Sequence, residues 1–365
     1  MKAFISLLLF FFAARAQQDV QDSWPMFRGS PALQGISQTQ LPKTLKLRWS
    51  YQTGGSIDSS AAILSGIVYV GSGDGVLHAI DLATGKSRWQ YKTGGSFGES
   101  SPCVHNGVVY IGALEGILHA VDAAAGKAIW TFQTEGEIKS SPNVYQNRIY
   151  FGSYDQHLYC LSVSGTLIWK FMTGGPVHST PAADGGMVYA SGCDAIFRAI
   201  AAETGKQAYE ISIREYTGAS AALRDGYAYV GTFANEVLGL NLEQRNVQWT
   251  YRHATRTLPY YSSAAVTQDY VIVGGRDKMV HCLQRSTGKE LWTFLTGAKV
   301  ESSPLVSANQ VFIGSSDGNL YELDLVSGAK TWQFAAGAAL TASPAAAQGA
   351  LVIGSQDGVL YCFGN

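Results

Sequence analysis

The residues of this 365-residue chain with chemistry to offer are few and scattered: seven His, five Cys and 27 Asp and Glu. No vicinal Cys pair occurs, and no Cys/His spacing suits a metal. Ser residues gather in Ser-Ser-Pro-like elements such as Ser100-Ser101-Pro102, with no Ser/His/Asp setting for a nucleophile. One series stands out. The position just before each such element reads Asp58, Glu99, Lys139, His178, Gly218, Tyr261, Glu301 and Thr341. Brought around a common axis, these side chains would make a mixed-charge ring able to hold a small polar ligand or an ion. Asp58, Glu99 and Glu301 would offer oxygens to a hard cation. The plainer reading is that such a ring keeps a water-filled channel solvated.

The elements that carry the series repeat. Trp49, Trp89, Trp130, Trp169, Tyr209, Trp249, Trp292 and Trp332 recur at intervals of 39 to 43 residues, the signature of a repeat architecture. Within one unit, Gly-containing turns at His105-Asn106-Gly107, Glu115-Gly116 and Ala125-Gly126-Lys127 separate four short β runs. That pattern predicts a propeller blade. Second strands such as Val68-Tyr69-Val70-Gly71 number eight. Trp49 belongs to a fourth strand with no preceding three, and the last repeat stops after three. The fold expected is therefore all-β: an eight-bladed β-propeller of four-stranded antiparallel blades over residues 47–365. Leu47 to Tyr51 would complete the C-terminal blade and remove two open sheet edges.

Residues 1–16 read as a signal peptide, with Lys2, the apolar run Ala3 to Phe12, and cleavage after Ala16. Residues 17–46 read as a lead-in segment. No Cys lies at the cleavage site to accept lipid, so a periplasmic or secreted, monomeric protein is expected. A net charge of −1 with 15% charged residues gives no basic patch for nucleic acid. No other stretch is apolar enough to span a membrane. Cys160, Cys282 and Cys362 share one repeat slot and read as small buried hydrophobes; a Cys103–Cys193 bridge is possible but disfavoured. His78, His119 and His281 share another slot, which suggests a strand-surface role.

The turn between third and fourth strands reads Ala79-x-Asp81-x-x-Thr84-Gly85-Lys86-x-x-Trp89, with Ala120, Asp122, Gly126 and Trp130 in the same register. This resembles the tryptophan-docking motif of quinoprotein-type (PQQ-like) β-propellers. Trp24-Pro25-Met26-Phe27-Arg28-Gly29 is similar to the lead-in of exported members, and length and blade count point to the BamB-like outer-membrane assembly factors. The resemblance implies a non-catalytic scaffold that binds a protein partner in the cell envelope, with no cofactor. It also supplies the rival reading, a dehydrogenase using pyrroloquinoline quinone with Ca²⁺. A carbohydrate binder using exposed aromatics is a third.

The repeats disagree in the middle of the chain. Ser162, Ala201, Asn241 and Gln284 replace the motif Asp, Arg245 replaces its Gly, and Tyr209 replaces Trp. The longest interval places extra residues in 253–261, where His253, Arg256, Tyr260 and Tyr261 are interface-forming types. They are a candidate partner-binding loop, or an insertion packed on the blade rim.

Overall fold

The computed structural model describes residues 22–365, so the signal-peptide reading lies outside the described residues. Strands alone make up its regular structure. Eight four-stranded antiparallel blades follow one another along the chain, seven of them built from four consecutive strands running from the axis outward. Blade 1 spans Ala62–Lys92, blade 2 Cys103–Gln133, blade 3 Asn143–Met172, blade 4 Ala182–Ser212, blade 5 Ala222–Tyr251, blade 6 Ala265–Leu295 and blade 7 Leu305–Ala335. Blade 8 takes three strands from Ala345–Gly364 and its outer strand from Lys46–Gln52, paired as Trp49↔Cys362 and Tyr51↔Leu360. The ring closes as the repeat count requires, and no propeller blade keeps a missing strand.

The Ser-Ser-Pro grammar has two physical jobs. The first Ser accepts a hydrogen bond from the Gly that ends its own blade's second strand, as Ser100 does from Gly112 at 3.0 Å and Ser140 from Gly152 at 3.0 Å. The second joins neighbours. Each backbone N–H at this position donates to the hydroxyl of the next blade: Ser60 to Ser101, Ser101 to Ser141, then Thr180, Ser220, Ser263, Ser303, Ser343 and back to Ser60. The eight bonds, 2.8–3.1 Å, form a closed belt around the axis. Buried amides near the axis are thereby satisfied without water.

The lead-in is laced through the ring. Innermost strands expose unpaired amides toward the axis, and residues 24–37 meet them blade by blade. Trp24 exchanges two bonds with Ile63; Pro25 accepts from Val104, Pro31 from Asn143 and Ala183, Ala32 from Leu223, Gln34 from Val266 and Gly35 from Val306. Ile36–Ser37 adds a parallel strand to blade 7, and Ser37 donates to Ala346 of blade 8. Trp24, Met26, Arg28 and Leu33 are buried. Arg28 is 1% exposed, donates to Ala264 O at 3.0 Å, and burial pulls its guanidinium down to about 9.

Candidate functional site

At the blade junctions, six indoles do the same thing. Trp49, Trp89, Trp130, Trp169, Trp249 and Trp292 donate Nε1–H to a carbonyl in the next blade's turn: Leu82, Ala123, Val163, Ala202, Arg285 and Leu325, at 2.9–3.2 Å. Each ring lies flat on the turn glycine. A Cβ on Gly85 would sit 2.7 Å from Trp49, and φ there is +70°, so both space and backbone demand glycine. Asp81 holds the turn by accepting from Thr84 N at 2.9 Å, and Asp122 does so from Ala124 N at 2.9 Å. Bonds from Arg88 and Thr84 hold the Asp81 carboxyl below its usual range. Ala79 and Ala120 pair in register with Trp89 and Trp130 of their own blades. Two junctions differ. Tyr209 carries the Arg245 guanidinium over its ring at 4.9 Å, so the paired departures from motif compensate each other. Trp332 meets no turn, because no hairpin joins Val359–Gly364 to Lys46–Gln52 in blade 8; it packs edge-on against Phe363 at 5.4 Å.

The shared His slot is not at the strand surface. His78, His119 and His281 are 3%, 5% and 0% exposed and accept contacts across blade junctions, from Tyr51 at 3.2 Å, Tyr91 at 3.2 Å and Tyr251 at 3.0 Å. The reason lies in the partner strand. Where the preceding blade offers Tyr, this slot is His. Where it offers Phe, as at Phe132, Phe294 and Phe334, the slot is Tyr159, Tyr321 and Tyr361; the exception is blade 4, where Phe171 precedes a slot filled by Arg198, paired with Asp194 at 2.5 Å. Each of these six pairs thus holds one phenol, with an acid four residues before the slot: Asp74, Glu115, Asp155, Asp277, Asp317 or Asp357; at His281 a second phenol, Tyr260, packs on the pair. Blade 5 has Leu238 facing Ile211 and no acid.

The ring series does converge. Asp58, Glu99, Lys139, His178, Gly218, Tyr261, Glu301 and Thr341 line one cavity of about 140 Å³, with hydroxyls of the belt along its wall. Phe27 of the lead-in lines its far end. A second ring was not legible from the repeat motif. The first residues of the hairpins between second and third strands surround the mouth, among them Tyr154, Phe233, Arg276 and Gln356. Their signal is positional only: each lies just after the Ser, Thr or Gly-rich end of a second strand.

Tyr261 crosses the lumen. It comes from the blade 6 side and donates to Glu99 Oε2, on blade 2, at 2.9 Å; its hydroxyl is also 2.7 Å from His178 Nε2. His178 Nδ1 meets the Tyr154 hydroxyl at 2.7 Å. One set of protons satisfies all three bonds: Tyr154 donates to Nδ1, Nε2–H to Tyr261, and Tyr261 to Glu99. Gly218 makes room, since a Cβ there would lie 2.5 Å from the Tyr261 ring. Burial alone would raise Glu99, but His178, the Tyr261 hydroxyl and Lys139 together hold its carboxyl below the usual range. Burial first, then Glu99, push the Tyr261 phenol upward, which makes it a poor base or nucleophile. The cations are engaged as well. Arg276 and Lys299 both bind Glu301, at 2.7 Å, and Lys139 sits 3.4 Å from Glu137. Asp58 accepts from Thr341 at 3.0 Å and from Gln356.

The residues of 253–261 do not form one exposed surface. Tyr260 is 1% exposed and belongs to the core of blades 5 and 6, so it cannot meet a partner. Tyr261 faces the channel, His253 packs on His281 at 5.6 Å, and Arg256 bonds Asp277 O at 2.8 Å. All five Cys are free; four are buried and Cys193 is exposed. No group of three or more His, Cys, Asp or Glu among the described residues is placed to hold a metal. For a tricarboxylate quinone with a divalent cation the fit is divided: the carboxylates are donors a hard cation accepts, but among the described residues no free cation faces the acids of the quinone. The mouth presents three carboxylates, and its cations are already committed to acidic neighbours.

The sequence profile described as outer membrane protein assembly factor BamB matches residues 42–141, 93–163, 114–258 and 252–363. Among curated proteins none matches the sequence. Among solved structures, BamB from Moraxella catarrhalis is similar at 19% identity with a TM-score of 0.73, covering 88% of this chain and 100% of that one. Quinohemoprotein alcohol dehydrogenase from Comamonas testosteroni is similar at 16% identity and a TM-score of 0.84, covering 96% of this chain and 84% of that one. The computationally designed Ika8 protein shares 16% identity with a TM-score of 0.75, covering 86% and 98%. At these identities the likenesses speak for the fold alone.

Proposed function

Because the chain belongs to the outer membrane protein assembly factor BamB family, we propose that it is a non-catalytic scaffold that binds a protein partner in the cell envelope. The observation that carries this reading is the state of the mouth: its acids, bases and phenols are bonded to one another, and burial keeps the Tyr261 hydroxyl beside His178 in its neutral form. The partner surface that fits best is the outer edge of blades 2 and 3. There Ile129, Leu167, Ile168 and Met172 are 51%, 42%, 42% and 68% exposed on edge strands, whose free amides and carbonyls suit strand addition.

The test is a pull-down from envelope extract with wild type and an Ile168→Lys/Met172→Lys variant. Loss of a specific partner in the variant is the expected result; an unaltered partner set removes this edge from the proposal. The enzymatic alternative is checked on the same protein by adding pyrroloquinoline quinone and Ca²⁺. Dye-linked alcohol oxidation would overturn the scaffold reading.

A further inference from the structure

We propose that the channel mouth is a binding site for a neutral cyclic sugar. The proposal is independent of the scaffold reading, since it concerns the axis of the ring and not its rim. The first argument is charge. Glu301 is paired with Arg276 and Lys299, and Lys139 with Glu137, while Asp58 and Glu99 touch no Lys or Arg and are hydrogen-bonded instead, Asp58 to Thr341 and Gln356 and Glu99 to His178 and Tyr261. What remains is directional hydrogen-bonding capacity. Glu99 Oε1 has no protein donor among the described residues. Belt hydroxyls such as Ser303 and Ser343 accept one backbone N–H each and keep an O–H to give.

The second argument is shape. Beside these polar groups lies an aromatic platform on the blade 5 sector. Tyr216 is 41% exposed and stacks on Phe233 with ring centroids 4.4 Å apart; Phe233 in turn meets Tyr261 edge-on at 6.1 Å. The platform is stiffened by Arg276, which sits over both Phe233 and Tyr261. Tyr216 and Phe233 stand outside the cavity lining, so the pocket itself offers hydroxyls, carboxylates and the Tyr261 ring, and Tyr216 offers one further exposed ring face; these are complementary to pyranoses, which have C–H groups on one face and hydroxyls around the edge. The cavity of about 140 Å³ suits a single ring, with a second sugar extending over Tyr216. A cavity that size lies below the roughly 300 Å³ at which sites for larger ligands begin.

The experiment is saturation-transfer NMR on the full chain, with glucose, N-acetylglucosamine and maltose as probes. Sorbitol serves as an open-chain polyol and ethylammonium as a cation. Saturable binding of at least one cyclic sugar is expected, with sorbitol at least about tenfold weaker. Tyr216→Ala should weaken binding of maltose, whose second ring reaches Tyr216, about tenfold, the worth of one aromatic contact, and Tyr216→Phe should leave it nearly unchanged. Glu99→Gln should weaken it by a similar factor. Tyr216 is exposed, so its variants test the site without disturbing the core. Absence of saturable binding by every sugar in the millimolar range overturns the proposal. So does equal binding by sorbitol, preference for ethylammonium, or wild-type affinity of Tyr216→Ala for maltose.

Discussion

A single indole shows how much one residue contributes to this ring. Trp130 donates to Val163 and covers Gly165 of the next blade, while part of its surface stays exposed. Trp130→Ala should therefore cost somewhat less than a fully buried Trp, about 2–3 kcal/mol, read as a fall of several degrees in Tm by calorimetry. The junction histidines act in a second way. Burial holds His78 and His119 down to about 4 from the ordinary 6.5, with Asp74 pulling His78 back upward. The unfolded chain takes up those protons near pH 6.5 and the folded chain only near 4. Their contribution to stability is thus complete above about pH 6.5 and is lost as pH falls toward 4, by at most about 3 kcal/mol each. Urea midpoints at pH 7.5, 5.5 and 4 check the sign. The docking slots were legible in the sequence because one motif recurs in register. The burial of the histidines was not, because alternation along a strand says which face a residue takes and not that another blade covers that face.

At the scale of the element, the junctions obey a pairing rule that one chain states six times: Tyr against His, or Phe against Tyr. Tyr51→Phe alone should leave His78 Nδ1 without its partner and cost about 1–2 kcal/mol. Adding His78→Tyr recreates the Phe/Tyr/Asp arrangement seen at Phe132, Tyr159 and Asp155. The double variant should recover at least half of the loss, a coupling of about 1 kcal/mol in a double-mutant cycle. It should also flatten the acid sensitivity above. The belt makes a parallel prediction: Ser303→Ala orphans the Ser263 amide and should cost about 1–3 kcal/mol in chemical denaturation. Strand number, turn positions and the closing strand were all legible, since Gly turns and apolar runs report local geometry. The hairpin ring at the mouth and the reach of Tyr261 to Glu99 were hidden. Both depend on which blades stand opposite each other, and that follows from closure rather than from any local pattern.

For the whole molecule, the lead-in and the seam matter most. Residues 24–37 bond to the inner strands of all eight blades, which the motif Trp24 to Gly29 did not foretell. A chain beginning at residue 40 should keep its blades, lose several buried backbone bonds, and be cut faster by protease in native buffer. The seam has a different consequence. Lys46–Gln52 finds its partner in Val359–Gly364, across 305 residues in the case of Gln52 and Asp357. The outer strand of blade 8 must wait for a partner made after all seven other blades. A polypeptide still being synthesised, or one stopped short of its final turn, has nothing to zip against and leaves a bare β edge for disposal machinery to find. Blade 8 can therefore lock only after residues 359–364 have been made.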